Sequence, residues 1–163
     1  MPSNAIYPKI ARAARTLGEL SFPPSRLFLT LRVLGWWALL RLLRPFLSVS
    51  RLVSLASPEN PSARLRPPDV LRCLGYVDSS GLWSRDGDCL PRALTCRRFL
   101  AFAGLDSSLM IGFSRDPGRS QGHSWIEVDG RPFLESDLIA QRYIPALVLS
   151  PGDRELVPTP GKI

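Results

Sequence analysis

The sequence has few of the residues that build metal sites and disulfide frameworks. It contains three cysteines and one histidine among 163 residues, and no cysteine pair has the C-x-x-C spacing typical of zinc ligands. An odd cysteine count also argues against a disulfide-stapled secreted domain and favours reduced thiols, as in the cytoplasm. We therefore predict a cytoplasmic protein without a metal or another cofactor.

Long uninterrupted apolar segments are also absent. The most apolar stretch, residues 27–49, is interrupted by Arg32, Arg41 and Arg44, and its longest charge-free piece covers residues 33–40. That piece is far shorter than the ~20 residues that a transmembrane helix requires. The stretch is therefore predicted to pack in a core or to lie at an interface rather than to cross a bilayer.

Acidic residues are scarce in the first part of the chain. Residues 1–66 contain ten lysines and arginines against Glu19 and Glu59, whereas residues 67–163 contain eleven against twelve acidic residues. The net charge of +7 therefore originates entirely in the N-terminal part. Such an excess is typical of proteins that contact an acidic partner, nucleic acid or an anionic membrane surface, and also of a merely solvated helix face.

Hydrophobic periodicity and turn residues predict several helices followed by a small antiparallel sheet. Helices are expected over residues 5–20, 26–44, 46–56, 67–75 and 89–103. Strands are expected over residues 108–114, 122–128 and 131–135, with Asp129-Gly130 as a hairpin turn. This order indicates an α+β fold, which we divide into a basic helical region, residues 1–66, and a core, residues 67–163.

The chemistry of the chain is concentrated in two short motifs. Cys89 follows Asp86-Gly87-Asp88 at a predicted helix start, where the dipole favours a thiolate, although both aspartates oppose it. Backbone N–H groups at that helix start are suited to binding an oxyanion. His123 lies in a predicted strand and is the one side chain suited to general-base catalysis near neutral pH without a large pKa shift. Either residue alone is more often structural, but together they have the layout of a cysteine hydrolase.

A carboxylate is expected to orient the imidazole, and three residues are candidates. Asp129 is already explained by the hairpin turn, and Asp137 follows the predicted sheet. Glu135 closes the returning strand and is predicted to lie level with His123 in the same sheet. We therefore predict Cys89, His123 and Glu135 as the catalytic residues, and inert structural roles for Cys73 and Cys96 on apolar helix faces.

The region over residues 67–136 resembles the lasso-peptide leader peptidases, the B proteins, which are transglutaminase-like cysteine proteases with a papain-like core. The resemblance lies in residues 88–94 (DCLPRAL), 109–113 (LMIGF) and 122–132 (GHSWIEVDGRP). It implies that Cys89 is the nucleophile and His123 the base. The third residue of the family, usually Asp, falls on Glu135, which is a departure from the pattern.

This resemblance implies a cysteine endopeptidase that removes the leader from a ribosomally synthesised lasso-peptide precursor through a thioester acyl-enzyme. It also implies a separate leader-recognition protein and a lasso cyclase similar to asparagine synthetases as partners. We expect no nucleic-acid partner, and we expect the basic N-terminal helices to contact a partner or a membrane surface. Two alternatives stay open: an acyltransferase or amidase on the same scaffold, in which an amine resolves the thioester, and a non-catalytic partner-binding scaffold.

Overall fold

The computed structural model describes residues 24–58, 64–83, 88–116, 118, 121–151, 153 and 156–158. The helix predicted over residues 5–20 lies outside this part of the chain, as does much of the linker predicted over residues 57–68. The described chain forms a layer of helices packed on an antiparallel sheet, which confirms the predicted α+β class.

Among the described residues, four helices of eight residues or more precede the sheet. They are α1 (Pro24–Leu43), α2 (Val49–Ala56), α3 (Pro67–Ser79) and α4 (Cys89–Phe102). The second begins three residues later than predicted, because the Ser48 hydroxyl caps it by accepting a hydrogen bond from the Arg51 N–H.

The stop predicted for the third helix at Gly75 is wrong, because α3 continues to Ser79. A glycine inside a helix costs about 1 kcal/mol relative to alanine. Burial of Leu74 and Val77, both fully inaccessible to solvent, offsets that cost and carries the helix through the glycine.

In the part of the chain that the structure describes, five antiparallel strands form a single sheet. The predicted bounds of the first two strands, β1 (Ser108–Ser114) and β2 (Gly122–Val128), are confirmed. Asp129 and Gly130 have φ angles of 52° and 71°, which is the left-handed pair that a two-residue hairpin turn requires. The elements that follow are β3 (Arg131–Phe133), a short helix α5 (Ile139–Arg142), β4 (Tyr143–Leu149) and β5 (Val157–Pro158). The strands are arranged in the order β3-β2-β1-β4-β5.

The main core lies between the helices and one face of the sheet. All four long helices contribute to it, with Leu40 of α1, Leu74 of α3 and Leu100 of α4 fully buried beside Leu109 of β1. The first two helices, from the predicted N-terminal region, therefore share a hydrophobic core with the predicted core residues 67–163. The other face of the sheet carries a second, smaller cluster of Met110, Trp125 and Ile139.

A buried guanidinium joins α4 to the far edge of this core. Arg97 is only 5% exposed, and it donates hydrogen bonds to the carbonyls of Ser107, Leu149, Ser150 and Asp153 at 2.6 to 3.2 Å. Burial lowers the pKa of Arg97. Several carbonyl acceptors compensate for the lost hydration of the charge. The contacts fix α4 against the sheet and thereby set the position of its first residue, Cys89.

Candidate active site

Cys89 is the first residue of α4, so its thiol lies at the positive end of the helix dipole. Ala93, Cys96 and Leu100 continue the same buried side of α4, which packs on the sheet. The Asp88 side chain makes no capping hydrogen bond to the first turn. Backbone N–H groups of a first turn have no intrahelical acceptor, so this turn presents hydrogen-bond donors next to the thiol.

His123 lies on β2 directly opposite Gly112 of β1. A Cβ atom at Gly112 would lie 2.5 Å from the Ile144 carbonyl oxygen, so only glycine permits the close approach of β4 at this point. The neighbouring Tyr143 then stacks on the imidazole, with 4.9 Å between the ring centroids. The tyrosine therefore restricts how the His123 ring can turn. Sequence reasoning missed its role, because Tyr143 belongs to a segment with no clear strand pattern.

Glu135 is the carboxylate that reaches the imidazole, with 3.2 Å between its Oε1 and the His123 Nε2. The predicted reason for this contact is wrong, because β3 ends at Phe133 instead of extending to residue 135. Phe133 pairs with Ile126, and a regular continuation would place Glu135 opposite Ser124, on the other face from His123. Leu134 has a φ of 56°, and this left-handed residue breaks the strand and redirects Glu135 towards the ring.

Arg92 is a site residue that the sequence reasoning did not identify. Its Nη2 lies 3.1 Å from Glu135 Oε1 and donates a 2.7 Å hydrogen bond to the Leu134 carbonyl. Its Nε lies 3.5 Å from Asp78 Oδ1 at the end of α3. The guanidinium therefore holds both the carboxylate and the irregular turn beside it. Its position one helical turn after Cys89, on the predicted nucleophile helix, is the sequence signal that could have identified it.

The electrostatics of the three groups favour a charged cysteine and histidine. Burial raises the pKa of the Cys89 thiol, but hydrogen bonding to His123 and Ser124 outweighs burial and brings the thiol pKa below its ordinary value. Hydrogen bonds to Cys89 and Glu135 raise the pKa of His123 to about 9. Burial raises the pKa of Glu135, but its contacts with His123 and Arg92 prevail and lower that pKa.

A second ion pair lies directly beside the nucleophile. Asp88 is only 3% exposed, and its Oδ1 lies 3.4 Å from Nε of Arg41 on α1. The sequence predicted that Asp86 and Asp88 oppose a thiolate at position 89; Asp86 lies outside the described residues. The Arg41 guanidinium counters the Asp88 charge, so α1 contributes an electrostatic partner to the site. The sequence did not indicate this pair, because Arg41 and Asp88 are far apart in the chain.

The other carboxylates and cysteines considered from the sequence do not belong to this site. Asp129 is exposed in the β2–β3 turn and Asp137 is exposed after β3. Cys73 and Cys96 are free but buried, and burial raises the pKa of both thiols, that of Cys96 to about 12. Within the described part of the chain, no group of three or more His, Cys, Asp or Glu side chains could hold a metal ion.

The site combines a thiol at a helix N-terminus, an imidazole on an adjacent antiparallel strand and a carboxylate on that imidazole. This arrangement is suited to nucleophilic catalysis by a cysteine. The sequence profile of the transglutaminase-like superfamily matches residues 30–148, a range that includes all three residues. The chain therefore belongs to the transglutaminase-like superfamily. No curated protein and no solved structure matches the chain significantly.

Proposed function

We propose that this chain is a cysteine endopeptidase that removes the leader from a lasso-peptide precursor, with Cys89, His123 and Glu135 as its catalytic residues. The observation that carries the proposal is the placement of Cys89 at the start of α4, which packs on β2, where Glu135 lies 3.2 Å from the His123 ring. The lowered pKa of the Cys89 thiol agrees with this placement. Because Glu135 occupies Nε2, the other ring nitrogen, Nδ1, is the one left to exchange a proton with the thiol.

The resting state in this mechanism is a Cys89 thiolate beside a His123 imidazolium, as both pKa shifts favour. The thiolate attacks the scissile carbonyl carbon of the precursor, and the carbonyl π electrons move to oxygen. N–H groups of the first turn of α4 stabilise this oxyanion. Collapse of the intermediate breaks the C–N bond, the imidazolium protonates the departing amine of the core peptide, and the leader remains on Cys89 as a thioester.

Hydrolysis then releases the leader and restores the enzyme. The His123 imidazole, neutral after it has given up its proton, removes a proton from water as the oxygen attacks the thioester carbon. The C–S bond breaks, the leader leaves with a new carboxylate, and the thiolate and imidazolium re-form. Glu135 holds the ring in orientation and stabilises its charged form, and Arg92 holds Glu135 in turn.

The assignment to lasso precursors is supported by the resemblance of residues 88–94, 109–113 and 122–132 to the leader peptidases. Under this proposal a separate leader-recognition protein delivers the precursor and a lasso cyclase takes the core peptide. A reducing compartment such as the cytoplasm suits a reaction that needs a free thiol at Cys89.

The test is incubation of the purified chain with a synthetic lasso precursor, with and without a leader-binding protein, in ¹⁸O-labelled water. We expect mass spectrometry to show free core peptide and a leader that carries ¹⁸O in its new carboxylate. Cys89→Ala should be inactive, and Asp137→Asn, at an exposed carboxylate, serves as the matched control. A leader linked to an added amine instead would identify an acyltransferase, and no acyl-enzyme with either acceptor would contradict the proposal.

A further inference from the structure

One side of α1 is apolar and has no partner in the described part of the chain. The helix buries Leu29, Val33 and Leu40 against the core. Five side chains that point away from this core are also hydrophobic and are 39% to 67% exposed, namely Leu27, Phe28, Leu31, Leu39 and Leu42. Together with the exposed Gly35 and Ala38 they form a surface that we call the outer face. At 100° per residue these positions share one continuous arc of the helix.

The charged side chains of α1 are all arginines, and one of them, Arg32, lies at the margin of the outer face. Arg26 and Arg44 are exposed at the two ends of the helix, and Arg41, also exposed, is paired with Asp88. The sequence contains no aspartate or glutamate between Glu19 and Glu59. The Arg32 guanidinium carbon lies over the Phe28 ring, 5.7 Å from its centroid, so this charge borders the apolar surface directly.

We propose that the outer face of α1 lies in the surface of an anionic membrane and holds the protein there as a peripheral protein. Apolar side chains would enter the boundary between headgroups and acyl chains, and Arg32 at the margin of the face would contact lipid phosphates. This proposal is independent of the proposed peptidase activity.

A lipid surface fits the outer face better than a protein does. Protein interfaces contain about one hydrogen bond per 100–200 Å², and the side chains of this face offer no hydrogen-bonding group. A membrane interface requires none, and its anionic headgroups complement the arginines. The 20-residue helix is about 30 Å long, and no helix in the described ranges is both long and apolar enough to cross a membrane. Insertion parallel to the surface is the mode that remains for α1.

The experiment is sedimentation of the full chain with phosphatidylcholine vesicles and with vesicles that also contain phosphatidylglycerol. We expect binding to the mixed vesicles that weakens as salt is added, and little binding to phosphatidylcholine alone. Leu31→Ser with Leu42→Ser should weaken binding by about tenfold or more, since each removes an exposed apolar side chain that would enter the membrane. Leu82→Ser is the matched control, because Leu82 is 50% exposed but lies in the turn after α3.

Charge is tested separately by Arg32→Glu, with Arg131→Glu in the exposed β2–β3 hairpin as its control. Only the first should lower binding to anionic vesicles. Circular dichroism and the alkylation rate of Cys89 report whether each variant is folded. Three outcomes overturn the proposal: no sedimentation with either vesicle, equal loss in the variants and their controls, or self-association in solution that Leu31→Ser abolishes, which would assign the face to a second copy of the chain.

Discussion

Cys89 and Cys96 lie on the same helix and the same side of it, yet their thiols have opposite properties. Cys89 is half-buried at the first residue of α4, where His123 and Ser124 lower its pKa. Cys96 lies two turns later, fully enclosed, and burial raises its pKa to about 12. The comparison teaches that reactivity here depends on the helix terminus and on the strand beside it, and not on the presence of a thiol on α4.

The polar groups around the two thiols explain the difference further. Burial raises the pKa of Cys96, the Arg92 charge opposes this effect, and the Asp78 and Glu135 charges add to it. Those same groups act on Cys89 through His123, because Arg92 holds Glu135 and Glu135 holds the ring. Burial thus keeps the interior thiol neutral, whereas the polar cluster supports charge on the terminal thiol.

The largest effect is expected when the two cysteines are exchanged for alanine in turn. Cys89→Ala removes the nucleophile and should lower leader removal by about 10⁴–10⁶-fold. Cys96→Ala leaves a small gap in the core and should cost about 1 kcal/mol of stability with most activity retained. Mass spectrometry of the peptide products measures both. If Cys96→Ala were as inactive as Cys89→Ala while still folded, the contrast between the two thiols would be wrong.

The next largest effect concerns the carboxylate that maintains the charged state of Cys89. Glu135→Gln keeps the size of the side chain but removes the charge that stabilises the imidazolium, so turnover should fall by up to about 10⁴-fold. Asp129→Asn and Asp137→Asn, at exposed positions, should stay near the wild-type rate. Steady-state kcat for the three variants decides the point. A damaging Asp129→Asn with a neutral Glu135→Gln would instead place the third catalytic residue in the hairpin turn.

The pH dependence of activity sharpens the same comparison. The active ion pair needs Cys89 deprotonated and His123 protonated, so kcat/KM should rise with pH through the lowered pKa of Cys89. It should fall again through the His123 pKa of about 9. Glu135→Gln should move the alkaline limb to lower pH, because it removes one of the contacts that raise the pKa of His123. An alkaline limb near pH 6.5 in the wild-type profile would show that contacts with Cys89 and Glu135 do not raise the pKa of His123.

Much of this arrangement could be predicted from local signals in the sequence. The start of α4 at Cys89, both bounds of β1 and β2, and the Asp129-Gly130 turn follow from periodicity and turn chemistry, and the structure confirms them. The faces of β2 also follow from alternation, since Ile126 enters the main core and Trp125 lies in the cluster on the opposite face.

The other features of the site depend on tertiary contacts, which produce no periodic pattern in the sequence. A leucine at position 134 gives no sign of a positive φ, so the turn that brings Glu135 to His123 could not be predicted. Arg41 meets Asp88 only because α1 packs on α4, and Tyr143 meets His123 only because β4 crosses over to pair with β1. In these two contacts, a residue distant in sequence joins site residues that local motifs had already indicated.

The smallest effect is expected at the ion pair that distinguishes the Cys89 end of α4 from its interior. Arg41→Met leaves the buried Asp88 carboxylate uncompensated beside the thiol, which should raise the Cys89 pKa and slow its alkylation by iodoacetamide at neutral pH by about three- to tenfold. Arg32→Met, an exposed position on the same helix, is the control and should leave the rate unchanged.

Adding Asp88→Asn to Arg41→Met removes the uncompensated charge, so alkylation of Cys89 should recover towards the wild-type rate. Cys96 should stay unlabelled in every variant, because its burial does not depend on this ion pair. A general loosening of the helix would instead slow labelling of Cys89 equally in the single and double variants and would expose Cys96. Recovery without Cys96 labelling therefore separates an electrostatic role of Arg41 from a packing role, and equal rates in the two variants would refute the electrostatic one.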